Sequence, residues 1–288
     1  MLPAANSILN SLIDSLTPDK KEVFLRYFSD KDRQEIEENP GVLIDLPIKP
    51  QSKTKILHSI HYSWFIPIIQ SYSLHPHYFL SALTKTQTKK ILPYLKEPPS
   101  EEEIMPLAKK YFSNLLLYSL IGEKNDLLDP KFLPPSRLNI LLLLTKEQIV
   151  SVIDYLGLYD LAKIIFQIVD PNALKTIERD LPKKKREFLQ SILQKKQTLS
   201  FPPLQWDKDP QSLAFTVHKR GLLRFAKAFC FQHKDFLWYI SHKLDIGRGN
   251  TLIKQSQKKI DEKVSDLLID DIFTILSYLQ LSNPTEQP

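Results

Sequence analysis

Apolar positions along this chain recur at three- and four-residue intervals, and strict two-residue alternation is hard to find, so the pattern predicts helices and few or no strands. Three segments align without gaps: Leu16-Thr17-Pro18-Asp19 through Tyr27-Phe28, Leu83-Thr84-Lys85-Thr86 through Tyr94-Leu95, and Leu144-Thr145-Lys146-Glu147 through Tyr155-Leu156. Each opens on Leu-Thr and closes on an aromatic–apolar pair. Phe24, Tyr27 and Phe28, then Ile91, Tyr94 and Leu95, then Val152, Tyr155 and Leu156 fall on one face of a helix. The Thr hydroxyl suits an N-cap. Gln87 and Gln148, three residues on, complete capping boxes, and Pro18 fits the first helical position after Thr17.

An apolar segment precedes each copy, at Ile8 to Leu16, Tyr78 to Leu83 and Leu138 to Leu144, so the repeating unit reads as a short helical hairpin. A weaker fourth copy runs from Leu181-Pro182 to Ile192-Leu193. Chance reuse of a common helix start is the alternative to a true repeat. The expectation is that Thr17, Thr84 and Thr145 all cap helices and that those helices are equivalent.

Proline and cap signals divide the chain. Asn39-Pro40-Gly41, Leu46 to Pro50 and Glu97-Pro98-Pro99-Ser100 read as linkers, with Ser100 and Glu103 forming a capping box; Asp129-Pro130 and Asp170-Pro171 read as helix starts. Leu199-Ser200-Phe201-Pro202-Pro203-Leu204 cannot continue a helix, which predicts a repeat region over 1–200 and a C-terminal helical lobe over 201–288. In that lobe the pattern predicts a helix over Gln211 to Phe231. Another follows over Phe236 to Ile246, with Asp235 as N-cap and Gly247 as its stop, and two more come after Asn250. The last of these carries Leu267, Leu268, Ile272, Ile275, Leu276 and Leu279. The fold class is all-α: armadillo-like helical hairpin repeats followed by a helical lobe.

Composition narrows the setting. A chain of 288 residues with 42% hydrophobic content can bury two cores, and 6 glycines against 21 prolines do not suit hairpin-rich sheets. The lone Cys230 suits a reducing compartment. The N-terminus Met1 to Asn6 has no secretory pattern. Apolar clusters such as Ile140 to Leu144 and Trp64 to Ile69 fall short of the roughly 20 residues that cross a bilayer, so a soluble, cytoplasmic protein is expected. A net charge of +6 favours acidic proteins, headgroups or nucleic acid without choosing among them.

No motif for chemistry stands out. His58 and His61, with His75 and His77 around Pro76, lack the HExxH spacing or cysteines of a metal site and read as packing residues. Gly247-Arg248-Gly249-Asn250 lacks the strand and longer pattern of a phosphate cradle and reads as a tight turn. No GxSxG or paired catalytic carboxylates are found, so no catalytic residue, cofactor or metal is expected. Lys183-Lys184-Lys185-Arg186 sit where the helix dipole disfavours cations, which leaves a solvated basic turn or an acidic partner.

In the C-terminal lobe, Leu222, Phe225, Phe229 and Cys230 form one apolar face. Arg220, Arg224 and Lys227, with Lys234 and Phe231, form a separate stripe; on the next helix Leu237, Ile240 and Leu244 leave Trp238, His242 and Asp245 aligned on another. Aromatics among cations have the composition of a binding hot spot. Arg220, Arg224, Lys227, Phe231, Trp238 and His242 are thus the candidate protein-binding residues. Cover of Trp238 by a neighbouring helix, and stacking of nucleic-acid bases on the basic stripe, remain alternatives.

Hairpins with a Leu-[Thr/Pro] start and a paired apolar ending resemble the armadillo-like repeats of the flagellar switch protein FliG. The resemblance is closest over Leu138 to Leu193, where Leu156-Gly157-Leu158-Tyr159-Asp160-Leu161-Ala162 runs on from the third copy. The Lys and Ile bias and the aromatic stretch His61 to Phe65 resemble a chlamydia-type sorting-platform adaptor of the type III secretion apparatus. The resemblance implies a scaffold at the cytoplasmic face of the inner membrane. Its partners would be the inner-membrane ring and the sorting-platform pods, and no residue-level site is carried over.

Overall fold

Local capping chemistry starts the helices. In a computed structural model describing residues 17–25, 29, 33, 53–95, 104–122, 127–165, 175, 177, 179–194 and 210–281, no strand occurs among the described residues. The helices are α1 (Pro18–Leu25), α2 (Lys53–Ser59), α3 (Phe65–Ser71), α4 (Pro76–Leu80), α5 (Lys85–Ile91), α6 (Pro106–Ile121), α7 (Lys146–Ile165), α8 (Lys183–Leu193), α9 (Pro210–Lys227), α10 (Lys234–Lys243), α11 (Ile246–Ser256) and α12 (Glu262–Tyr278). Tight 3-10 turns lie at Tyr62–Trp64, Leu92–Tyr94, Pro130–Phe132 and Arg137–Leu143. The all-α class read from the pattern is the class observed.

The Leu-Thr starts hold. Thr84 Oγ1 accepts the Gln87 N–H at 3.1 Å while Gln87 Oε1 accepts the Thr84 N–H at 3.0 Å, and Thr145 and Gln148 make the same exchange at 3.3 and 2.8 Å. Thr17 immediately precedes α1, and its carbonyl accepts the Lys21 N–H at 2.8 Å. The ends are not shared. Pro93 sits in the 3-10 turn that follows the 7-residue α5, whereas α7 runs for 20 residues. Tyr94 is consequently 54% exposed and its counterpart Tyr155 only 4%. Tyr27 and Phe28, the linkers at 39–50 and 97–100, Asp170-Pro171 and the proline pair at 202–203 lie outside the described residues.

The chain divides into one unit of residues 1–142 with 233–236, and another of 143–232 with 237–288. The expected division at 200 is therefore corrected. Residues 143–200 belong with the C-terminal helices because α7 buries its apolar residues against α8, α9 and α12.

In the first unit α6 packs on α2, α3 and α4 around Leu57, Phe65, Phe79 and Leu116. Phe112 meets Phe79 edge-on, with ring centroids 5.2 Å apart, and stacks on Tyr78 at 5.4 Å. Gln87 does more than cap α5. Its buried Nε2 donates to the carbonyls of Ile60 at 2.8 Å and Leu57 at 3.2 Å, bracing the end of α2, where the Leu57 carbonyl also accepts the Ile60 N–H. Asp129 caps the turn at Pro130 through the Lys131 N–H at 3.0 Å, as its sequence predicts.

In the second unit α7 and α9 approach most closely. A Cβ on Gly221 would lie 1.7 Å from the Ile153 carbonyl oxygen, and one on Gly157 would lie 2.0 Å from that of Val217. Only hydrogen fits at either position. The side-chain pairs Asp154–His218 and Asp160–Arg224 share a separation of 64 residues, so the two helices run in the same direction. Around them α8 contributes Phe188, Leu189 and Ile192, and α12 contributes Leu268, Ile272, Ile275 and Leu276. Helix ends here differ from expectation. α9 stops at Lys227, and Asp235 lies in the first turn of α10, where its N–H donates to His233 Nδ1 at 3.3 Å. Gly247 is not a stop but lies inside α11, because Asp245 Oδ1 accepts the Arg248 N–H at 3.1 Å and starts a new helix.

Gly221→Ala should destabilise the protein by about 1–3 kcal/mol, the usual cost of overpacking, despite the better helix propensity of alanine. Gly247→Ala, where the nearest atom to a new Cβ is Asp245 Oδ1 at 3.4 Å, should instead stabilise the protein by about 0.4–1 kcal/mol. Urea unfolding distinguishes the two, and equal midpoints would contradict the close crossing.

Candidate protein-binding surface

Helical spacing put Arg220, Arg224 and Lys227 on an outer stripe, and the structure divides them. Arg224 is 1% exposed. Its Nε and Nη2 donate to Asp160 Oδ1 at 3.0 and 2.7 Å, its Nη1 donates to Asp271 Oδ2 at 3.3 Å, and the guanidinium lies over the Tyr159 ring at 5.5 Å. Arg220 Nε donates to the other oxygen of Asp160 at 2.8 Å. Two cations thus share two carboxylates inside the second unit. Arg224 is a core residue and Arg220 a brace, because α9 is covered on the side that the periodicity left open.

Burial sets the ionisation of this cluster. It pushes the Asp271 carboxyl up to about 6, with the Arg224 charge and the Tyr159 hydrogen bond opposing only in part. It also raises the Tyr159 phenol, helped by the Asp271 charge, and lowers the Lys163 ammonium, helped by Arg224.

A second cluster lies one turn before the glycine crossing. His218 Nε2 accepts from Arg248 Nε at 2.8 Å, so the ring proton sits on Nδ1, which donates to Asp154 Oδ1 at 2.6 Å. Lys185 Nζ donates to Asp154 Oδ2 at 2.8 Å, and Arg248 pairs with Asp245. Burial opposes ionisation of Asp154, but the hydrogen bonds from His218 and Lys185 outweigh it and hold the carboxyl below its usual range. An Asp–His pair is the orienting half of a general base. Here Nε2, the atom that would take a proton, is already occupied by Arg248, so the cluster is built for structure.

The second predicted stripe also turns inward. His242 is buried, its Nδ1 donates to the Trp238 carbonyl at 2.8 Å, and burial pushes its imidazole down to about 4. Trp238 is half-buried and stacks on the His242 ring at 4.1 Å. His242 is thus closed off, whereas Trp238 keeps part of its surface, with one face of the indole covered by the His242 ring. Asp245 serves as the α11 cap. Of the histidines read as packing residues, His61 Nδ1 accepts the Ser63 N–H at 3.3 Å and His75 Nδ1 accepts the His77 N–H at 3.2 Å, so both start helical turns. Among the described residues no group of three or more His, Cys, Asp or Glu could hold a metal ion.

What remains outside is Phe231, 56% exposed just beyond α9, with half-buried Lys227 one turn before it. Cys230 Sγ donates to the Lys258 carbonyl at 3.3 Å, which brings the exposed Lys258 and Lys259 beside the same corner. Burial raises the Cys230 thiol, keeping it a packing residue. Periodicity missed these two lysines because they lie on a different element. It also missed Asp154, Asp160, His218 and Arg248, although an available signal was Asp154-x-x-Gly157-x-x-Asp160 set against His218-x-x-Gly221-x-x-Arg224.

No family model, no curated protein and no solved structure matches this chain. Among the described residues no helix is long and apolar enough to cross a membrane.

Arg224→Met should cost about 3 kcal/mol or more, because it strands buried carboxylate oxygens, and thermal unfolding reads the loss. A surface cation would be replaceable without it. Asp271 supplies a pH test. Its folded carboxyl titrates at about 6 and its unfolded one near the ordinary 3.8, so the folded state holds more protons between those values and the contribution of Asp271 to stability falls as pH rises through them. Asp271→Asn should therefore gain stability relative to the parent between pH 4 and about 6.5 in urea titrations; a constant difference would contradict the shift.

Proposed function

We propose that this chain is a non-catalytic helical adaptor whose second unit holds a rigid surface for another protein. The observation that carries the reading is Phe231, exposed beside Lys227, Lys258 and Lys259 on a braced helical frame. An aromatic anchor among cations suits a partner patch with an apolar pocket and carboxylates around it. Resemblance of Leu138 to Leu193 to FliG-like repeats supports a setting in the cytoplasmic part of a type III secretion apparatus. The proposed partners there are inner-membrane ring and sorting-platform pod proteins, with any membrane association made through them. Nucleic acid is the weaker reading. Arg220 and Arg224, two of the cations it required, are consumed by Asp160 and Asp271.

The test is in-cell crosslinking followed by identification of captured proteins, with Phe231→Glu as the surface variant. Secretion-apparatus proteins should be recovered with the parent chain and reduced at least tenfold with Phe231→Glu, while its melting temperature stays unchanged. Undiminished capture would reject the Phe231 surface. Salt-sensitive binding to short oligonucleotides, lost in the same variant, would move the surface to the nucleic-acid reading.

A further inference from the structure

The first unit carries an exposed surface of a different kind. Helix α6 has 16 residues and two apolar faces. The inner one, Phe112, Leu116 and Leu117, is buried in the unit. On the outer one Leu107, Tyr111, Asn114, Tyr118 and Ile121 follow each other at intervals of four, three, four and three residues, the spacing of a single helical stripe. Leu107 is 78% exposed, Tyr111 60% and Tyr118 55%. The stripe is about 21 Å long at 1.5 Å per residue. Beside it, Lys53 and Ile56 of α2 form the opposite wall of a groove of about 420 Å³.

We propose that this groove binds an amphipathic helix of another protein, one that lays an apolar stripe against α6 and carries Asp or Glu along its borders. The length and spacing of the stripe match about four turns of a facing helix. The charge points to acidic borders: Lys53 stands in the wall, and the exposed Lys110 adjoins Tyr111. A second copy of this face would set lysine against lysine. A membrane surface would leave the concave floor unfilled and the Asn114 amide, in the middle of the stripe, facing acyl chains. This inference uses residues of the first unit alone and does not depend on the Phe231 surface.

The test pans the full chain against a displayed library of 18-residue helices. Leu, Ile or Phe occupy a four–three–four–three stripe, and the flanking positions are randomised among Asp, Glu, Lys, Arg and Ser. Binders with flanks enriched at least tenfold in Asp and Glu are expected. Tyr118→Glu should abolish their binding without changing the melting temperature, Lys53→Glu with Lys110→Glu should shift the selected flanks towards Lys and Arg, and Phe231→Glu should change neither. Selection with no flank preference, or binders insensitive to Tyr118→Glu, would overturn the proposal. So would a concentration-dependent dimer that Tyr118→Glu disperses, or phosphatidylglycerol vesicles that compete the selected helices away.

Discussion

The contact on which the second unit depends is the approach of α7 to α9 at Gly157 and Gly221. With a Cβ on either residue the Ile153 and Val217 carbonyls would be struck, so the two backbones meet at a distance that no side chain permits. That closeness puts the flanking polar pairs within reach. Three residues before the crossing Asp154 meets His218, and three residues after it Asp160 meets Arg224, with the same 64-residue offset. Apolar contact supplies the attraction between the helices, while the paired charges fix their register, since a slide of one turn would leave buried carboxylates without cations.

The surface follows from what this crossing consumes. Asp160 and Asp271 take up Arg220 and Arg224, Asp154 takes up Lys185 and His218, and Asp245 takes up Arg248. The run Lys183 to Arg186, puzzling at a helix N-terminus, is partly explained by its third member: Lys185 reaches back to Asp154 on α7. Lys258 and Lys259 stay exposed, and the Cys230–Lys258 hydrogen bond places their turn next to the exposed Phe231. In the first unit an exposed apolar stripe with tyrosines runs along α6, beside the exposed Lys53 and Lys110.

The histidines, read from the sequence as packing residues rather than ligands, also have a local structural role: His61 and His75 accept backbone N–H bonds at the starts of helical turns, a role shared with Asp and Thr. His218 and His242 are absorbed by Asp154 and by the Trp238 carbonyl.

The sequence by itself determined the helical class, the starts at Thr84, Thr145 and Asp129, the inner face of α9, and most of that of α12, where Leu267 of the predicted stripe stays exposed. These depend on interactions within one or two turns, between residues whose spacing is known before the chain folds. Tertiary structure alone decided which outer faces stay outside. A stripe of Arg220, Arg224 and Lys227 is defined relative to its own helix axis, and only the arrival of Asp160, 64 residues before Arg224, makes Arg224 core and Arg220 its brace. The same distance effect joined residues 143–200 to the C-terminal helices, where α7 packs against α9. Burial is a property of pairs of elements, and no single periodicity contains the partner.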